Sequence, residues 1–70
     1  MNIKPGQMVI YSGEKKEKFT PGKTYLVMSL SYNPEGVKEF LLENDLGEYS
    51  YLEASAFSPL KRPLKATIKN

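Results

Sequence analysis

Apolar residues in this chain come in short runs set off by turn-forming residues. The longest is Thr24 to Tyr32, TYLVMSLSY, which follows Pro21 and Gly22. Proline presets φ at one turn position and glycine reaches positive φ at the next, so these two residues predict a turn that launches a strand. Gln7 to Tyr11 predicts a shorter first strand after a turn at Lys4, Pro5 and Gly6. Val37 to Asn44 and Glu48 to Leu52 predict a third and a fourth, separated from their neighbours by Asn33-Pro34-Glu35-Gly36 and Asp45-Leu46-Gly47. Glu53 to Ala56 is long enough for one 3₁₀ turn, and Phe57 to Leu60 predicts a short last strand at an edge, where the missing amide of Pro59 is tolerated. A helix over Glu35 to Glu43 competes for the third strand, because Glu, Lys and Leu are good helix formers. Glu35 and Glu39 would then repel each other at i, i+4.

The second strand departs from simple alternation. Tyr25 and Val27 fall on one face, while Leu26, Met28, Leu30 and Tyr32 fall on the other, so both faces are apolar. A strand in a one-sided sheet should not read this way. One that bends from one layer of a small barrel into the other turns different faces inward along its length, and at roughly 3.3 Å per residue it spans about 30 Å. The alternative is an outer apolar face that docks onto a partner or a second copy. Ser12 to Lys18, SGEKKEK, has no apolar residue and reads as an exposed loop. The fold expected is all-β, a small five-stranded barrel with one 3₁₀ turn.

Seventy residues allow one domain, with little interior to spare. Forty per cent hydrophobic and 26% charged residues describe an ordinary globular composition, so global disorder is not expected. Cysteine is absent, which leaves packing as the means of stabilisation and gives no sign of an oxidising compartment. No apolar run approaches the roughly 18 residues of a membrane span, and a cytoplasmic protein is expected. Charge divides the chain in two. Residues 1–60 hold six lysines and eight acids, 6 − 8 = −2, whereas 61–70 hold Lys61, Arg62, Lys65 and Lys69 and no acid, giving +4. The division predicts a domain at 1–60 and a basic, flexible tail at 61–70.

Two stretches carry a resemblance. FTPGKTYLV, residues 19–27, resembles the segment of SH3 domains in which an aromatic precedes a tight turn and the second strand begins; GEYSYLEASAF, residues 47–57, is similar to their end, where a Gly-led strand runs into a 3₁₀ turn and an aromatic. More narrowly, the order of a Pro-Gly turn, a strand, a polar loop, Gly22-Lys23-x-Tyr25-x-Val27, an acidic turn with Gly, Tyr51-Leu52-x-Ala54 and Phe57 shortly before Pro59 resembles small SH3-like barrel proteins of bacteriophages and prophages of Gram-positive bacteria. The resemblance covers roughly residues 5 to 60. It implies a protein that occupies a surface on a host or phage protein without catalysis. Signalling SH3 domains that bind proline-rich peptides depend on a groove tryptophan and an acidic loop, whereas here there is no Trp, and SGEKKEK sets Glu14 and Glu17 against three lysines. Tyr11, Tyr51 and Phe57 remain for a shallow aromatic surface.

Histidine and cysteine are both missing, which removes the commonest general base, a soft metal ligand and the thiolate nucleophile. No serine stands in a nucleophile-elbow pattern, and no glycine-rich phosphate loop occurs. Glu43, Asp45 and Glu48 are close in sequence but lack the spacing of a calcium loop. Neither an enzyme nor a cofactor is expected. Tyrosine offers contact area with a polar tip, so the leading candidates for protein binding are Tyr11, Tyr32, Tyr49, Tyr51, Leu26 and Met28, with Tyr25 read as a barrel residue whose hydroxyl reaches the rim. A second reading takes Lys15, Lys16, Lys18 and Lys23 together with Lys61, Arg62, Lys65 and Lys69 as a basic patch for nucleic acid, against a domain that is itself net negative. A third is self-association through an edge strand or the face of Leu26, Met28 and Leu30, leaving a monomer or a weak homodimer as the expected state.

Overall fold

Thr24–Tyr32 forms one uninterrupted strand, and the rest of the sheet is arranged on it. The computed structural model describes residues 3–60. Over that span the strands are β1 (Met8–Tyr11), β2 (Thr24–Tyr32), β3 (Lys38–Glu43), β4 (Tyr49–Glu53) and β5 (Phe57–Pro59), with a 3₁₀ turn at Ala54–Ala56 between the last two. All pairings are antiparallel, in the order β4-β3-β2-β1-β5. The tail at 61–70, with Lys61, Arg62, Lys65 and Lys69, lies outside the described residues.

β2 serves two partners in turn. Its first residues pair with β1, Met8 with Leu26 and Ile10 with Thr24, and the remainder pairs with β3 from Val27 to Tyr32. Between Val27 and Ser29 the register slips: Val27 faces Leu42 and Ser29 faces Leu41, so Met28 is an extra residue with no partner. Such a bulge bends the strand and reverses which parity points inward. Tyr25 and Val27 are buried before it, and Leu30, opposite the buried Phe40, packs against the core after it. This is the physical origin of a strand apolar on both faces.

Between β4 and β5 no ladder forms among the described residues. The sheet therefore remains open at this seam, where the sequence led to an expectation of a closed barrel. The competing helix does not form, because alternation places Phe40 and Leu42 in the core with no exposure at all, a demand that only an extended backbone meets.

Two hairpin turns are built alike. In Asn33-Pro34-Glu35-Gly36 and Asn44-Asp45-Leu46-Gly47 the glycine N–H donates to the asparagine carbonyl, at 2.8 and 3.0 Å, with φ of 82° at Gly36 and 79° at Gly47. Each asparagine Oδ1 also accepts two backbone N–H groups further round its turn, from Glu35 and Val37 in one and from Leu46 and Glu48 in the other. A short polar side chain thereby replaces backbone partners that a tight turn cannot supply.

The core is aromatic. Tyr11, Phe19, Tyr25, Phe40 and Phe57 are all buried, and Phe57 lies within 5.5–6.3 Å, centroid to centroid, of the other four rings. Val9, Val27 and Leu42 fill the space between the sheet halves, with Ile3 and Ala54 at the margin.

Candidate interaction surface

Because side chains alternate along a strand, every residue committed to this core leaves its neighbours on the outer face. On β4 those are Tyr49 and Tyr51, 62% and 55% exposed. Tyr51 stands opposite Leu41 and Tyr49 opposite Glu43 across the β3–β4 ladder. Leu41 in turn faces Ser29, next to the bulged and exposed Met28. On the far side of β2, Leu26 and Met8 are direct partners and both are exposed. The outer face thus brings together Leu26, Met28, Tyr49 and Tyr51 of the expected set, and adds Met8 and Leu41.

Two expected residues do not join it. Tyr11 is 1% exposed, its ring between Phe19 and Phe57 and its hydroxyl donating to the Glu14 carbonyl, so it supports the core and presents nothing to a partner. The shallow surface of Tyr11, Tyr51 and Phe57 is likewise not formed, since Phe57 is buried with it. Tyr32 is exposed, but it lies opposite Lys38 at the end of β2 and shares the face of Leu30 and Phe40, beyond the edge of the core. It is a separate feature from the β4 tyrosines.

Two shallow grooves border the sheet. One, of about 280 Å³, runs between the loop residues Lys16–Phe19 and the β4 residues Ser50–Leu52. The other, of about 190 Å³, is bordered by Met8, Leu26 and Glu43 beside the start of β2. Of the lysines read as a basic patch, Lys15 and Lys16 are exposed on the loop, Lys18 is 3.5 Å from Glu48, and Lys23 is 2.7 Å from Asp45. Half of the described part of that patch is therefore paired with acids.

The most connected polar group was not among the candidates. Asp45, in the β3–β4 turn, accepts hydrogen bonds from the Lys23 ammonium (2.7 Å), the Thr20 hydroxyl (2.8 Å) and the Tyr25 hydroxyl (2.9 Å), while its own N–H donates to the Lys18 carbonyl (2.9 Å). Tyr25 meets the expectation of a buried ring with its hydroxyl at the rim, and that hydroxyl also accepts the Thr20 N–H. The Lys23 hydrogen bond, followed by that of Thr20, holds the Asp45 carboxyl well below its ordinary 3.8, at about 2. Lys23 is raised, chiefly by the hydrogen bond to Asp45, and Tyr25 is raised, chiefly by burial. The knot ties together the end of the long loop, the Pro21-Gly22 turn, β2 and the β3–β4 turn. Three donors from its own chain hold its carboxylate in place, which gives it a structural role.

Glu43, Asp45 and Glu48 do not converge: Asp45 turns to Lys23 and Glu48 to Lys18. Among the described residues no group of three His, Cys, Asp or Glu side chains is placed to hold a metal, and no helix is long and apolar enough to cross a membrane. Set against protein-family models, curated proteins and solved structures, the chain finds no match in any of the three.

Proposed function

We propose that this chain is a small SH3-like, non-enzymatic binding module that acts in the cytoplasm by seating a host or phage protein on the outer face of β2, β3 and β4. Support for the SH3-like assignment comes from the strand order, the split pairing of β2 and the 3₁₀ turn before β5, read with the resemblance of residues 19–27 and 47–57. The observation that carries the function is the exposure of Tyr49 and Tyr51 side by side with Leu41, on a face continuous with Met28, Leu26 and Met8. None of these six is needed to fill the core, and tyrosines with apolar neighbours are what interface centres are made of.

The test is affinity capture from a Gram-positive host lysate with and without nuclease, comparing the natural chain with a Tyr49→Ser, Tyr51→Ser double variant. A protein retained by the former and lost with the latter supports the reading. Retention unchanged by the double variant, or binding that nuclease abolishes, overturns it.

A further inference from the structure

The two edges of the sheet offer different things to a further strand. In an antiparallel ladder, residues that bond the neighbouring strand alternate with residues whose backbone groups face away from it. The Asn44 N–H donates to the Glu48 carbonyl where β3 turns into β4, so the bonded positions of β4 are Ser50 and Leu52, opposite Leu42 and Phe40. The backbone groups of Tyr49, Tyr51 and Glu53 therefore face the open edge. On β5 the Ala56 carbonyl accepts the Ser12 N–H and Ser58 stands opposite Ile10, which leaves Phe57 and Pro59 facing away from β1. Proline has no N–H, and the Phe57 N–H is already given to the Ala54 carbonyl of the 3₁₀ turn. The β5 edge thus presents carbonyls without donors, whereas the β4 edge presents both.

Among the described residues no strand occupies the β4 edge. β4 contains no proline, no lysine and no bulge, the devices that commonly blunt an exposed edge. The loop residues Lys16–Phe19 pass beside it, but their backbone bonds go elsewhere, from the Lys16 N–H to the Phe19 carbonyl and from the Asp45 N–H to the Lys18 carbonyl. A groove of about 280 Å³ separates them from Ser50–Leu52.

The strand is complementary to itself. About a twofold axis through Tyr51, each Tyr51 meets its twin and exchanges both backbone bonds with it, Glu53 meets the twin's Tyr49, and Ser50 meets the twin's Leu52. No like charges face each other in this register, and the two tyrosines form a cross-strand aromatic pair with Leu41 beyond each of them. An axis through Glu53 would oppose two carboxylates, and one through Tyr49 would set Tyr51 against Gly47 of the turn. Because β5 lacks donors, the contact closes on itself as a dimer and does not propagate from edge to edge.

We propose that two copies of this chain pair through β4, antiparallel about Tyr51, into one continuous sheet. The contact uses the backbone edge and leaves the outer-face side chains exposed on both copies, so it stands apart from the partner-binding face proposed above.

The test uses the full chain in a concentration series. Sedimentation should show a monomer–dimer equilibrium, and exchange of the Tyr51 and Glu53 amide hydrogens should slow several-fold towards about 1 mM, where a dimer with a Kd of about 1 mM is half formed. Tyr51→Pro deletes the central donor at an edge position where proline is tolerated, and should stay monomeric. Tyr51→Ser keeps the N–H and should still pair, less tightly. A strict monomer at about 1 mM overturns the proposal, as does a dimer that survives Tyr51→Pro. Protection of these two amides that does not change with concentration also overturns it, by assigning the edge to another segment of the same chain. If the proline variant does not fold, the exchange series on the natural chain decides: concentration-dependent slowing at Tyr51 and Glu53 supports the pairing, and slowing confined to other strands refutes it.

Discussion

Asp45 shows how one side chain in a chain of this size substitutes for core that is not there. Three donors from one stretch of chain, Thr20, Lys23 and Tyr25, converge on its carboxylate, and each of them favours the charged form. Because its folded pKa lies at about 2 against an ordinary 3.8, the unfolded chain binds more protons than the native one between those values. Stability from this group is therefore complete above the ordinary value and lost as pH falls through about 2. Thermal melts across that window should show an acid limb in the natural chain that flattens in Asp45→Asn, together with a lower melting temperature at neutral pH. An unchanged acid limb would place the acid sensitivity elsewhere. Lys23 and Tyr25 are both raised, so their contribution is present below their ordinary values and is lost on the alkaline side. A second position is governed by contact. A Cβ on Gly13 would lie 2.7 Å from the Tyr11 hydroxyl oxygen and 2.8 Å from the ring carbon that bears it. The ring cannot retreat, since Phe19 and Phe57 pack against it. Gly13→Ala should cost about 1–3 kcal/mol in urea unfolding, and a neutral result would mean that the Tyr11 ring has room to move.

The twin hairpins allow a comparison between elements within one molecule. Asn33 and Asn44 bond their own turns in the same manner, and each amide also donates onward, Asn44 to the Ser50 hydroxyl at 2.7 Å and Asn33 to the Glu39 carboxylate at 3.4 Å; Asn44 is buried, whereas Asn33 is half-buried. Asn44→Ala removes a buried polar side chain together with the acceptor of the Leu46 and Glu48 N–H groups and the donor to Ser50, and should cost about 1–3 kcal/mol; Asn33→Ala, at a half-buried position, should cost clearly less. Equal losses in urea melts of the two variants would refute burial as the difference. Turns and strands of this kind are legible in the residues, because Pro-Gly and Asn-x-x-Gly sequences flank β-branched and aromatic runs; the bounds of β2, Thr24–Tyr32, agree with the expectation at both ends. What the residues cannot disclose is phase. A strand apolar on both faces announces that inward parity changes, but not that the change falls at Met28. β1 has the same ambiguity in a stronger form: Met8, Val9, Ile10 and Tyr11 are apolar at every position, and so Tyr11 was open to being read as surface when it belongs to the core. Asp45 escaped for a different reason. Its partners lie 20 to 25 residues away, and the local sequence Asn-Asp-Leu-Gly speaks only of a turn.

In the molecule as a whole, the open seam between β4 and β5 sets the remaining problem of stability. Among the described residues no ladder spans it, and the two halves of the sheet are held by β2 running through both and by side chains packed between them. Phe57 occupies the decisive place. It sits on the short edge strand β5, yet its ring lies 5.7 Å from Phe40 of β3 and 5.5 Å from Tyr11 of β1, with Phe19 and Tyr25 also within reach. Truncating a buried phenylalanine costs about 3–5 kcal/mol, and a domain this small starts from the lower part of the 5–15 kcal/mol range of native stabilities. Phe57→Ala should therefore leave no more than about 0–2 kcal/mol of stability, so that resonances of an unfolded population show in the amide spectrum at room temperature. Tyr51→Ser removes an aromatic of similar size from the outer face of the other edge strand, and should cost less than about 1 kcal/mol because only strand propensity is lost. The contrast separates the two faces of the sheet by energy. If Phe57→Ala still unfolds cooperatively with a loss below about 1 kcal/mol, the halves are joined by β2 alone. The aromatic cluster would then be packing around a fold that does not depend on it.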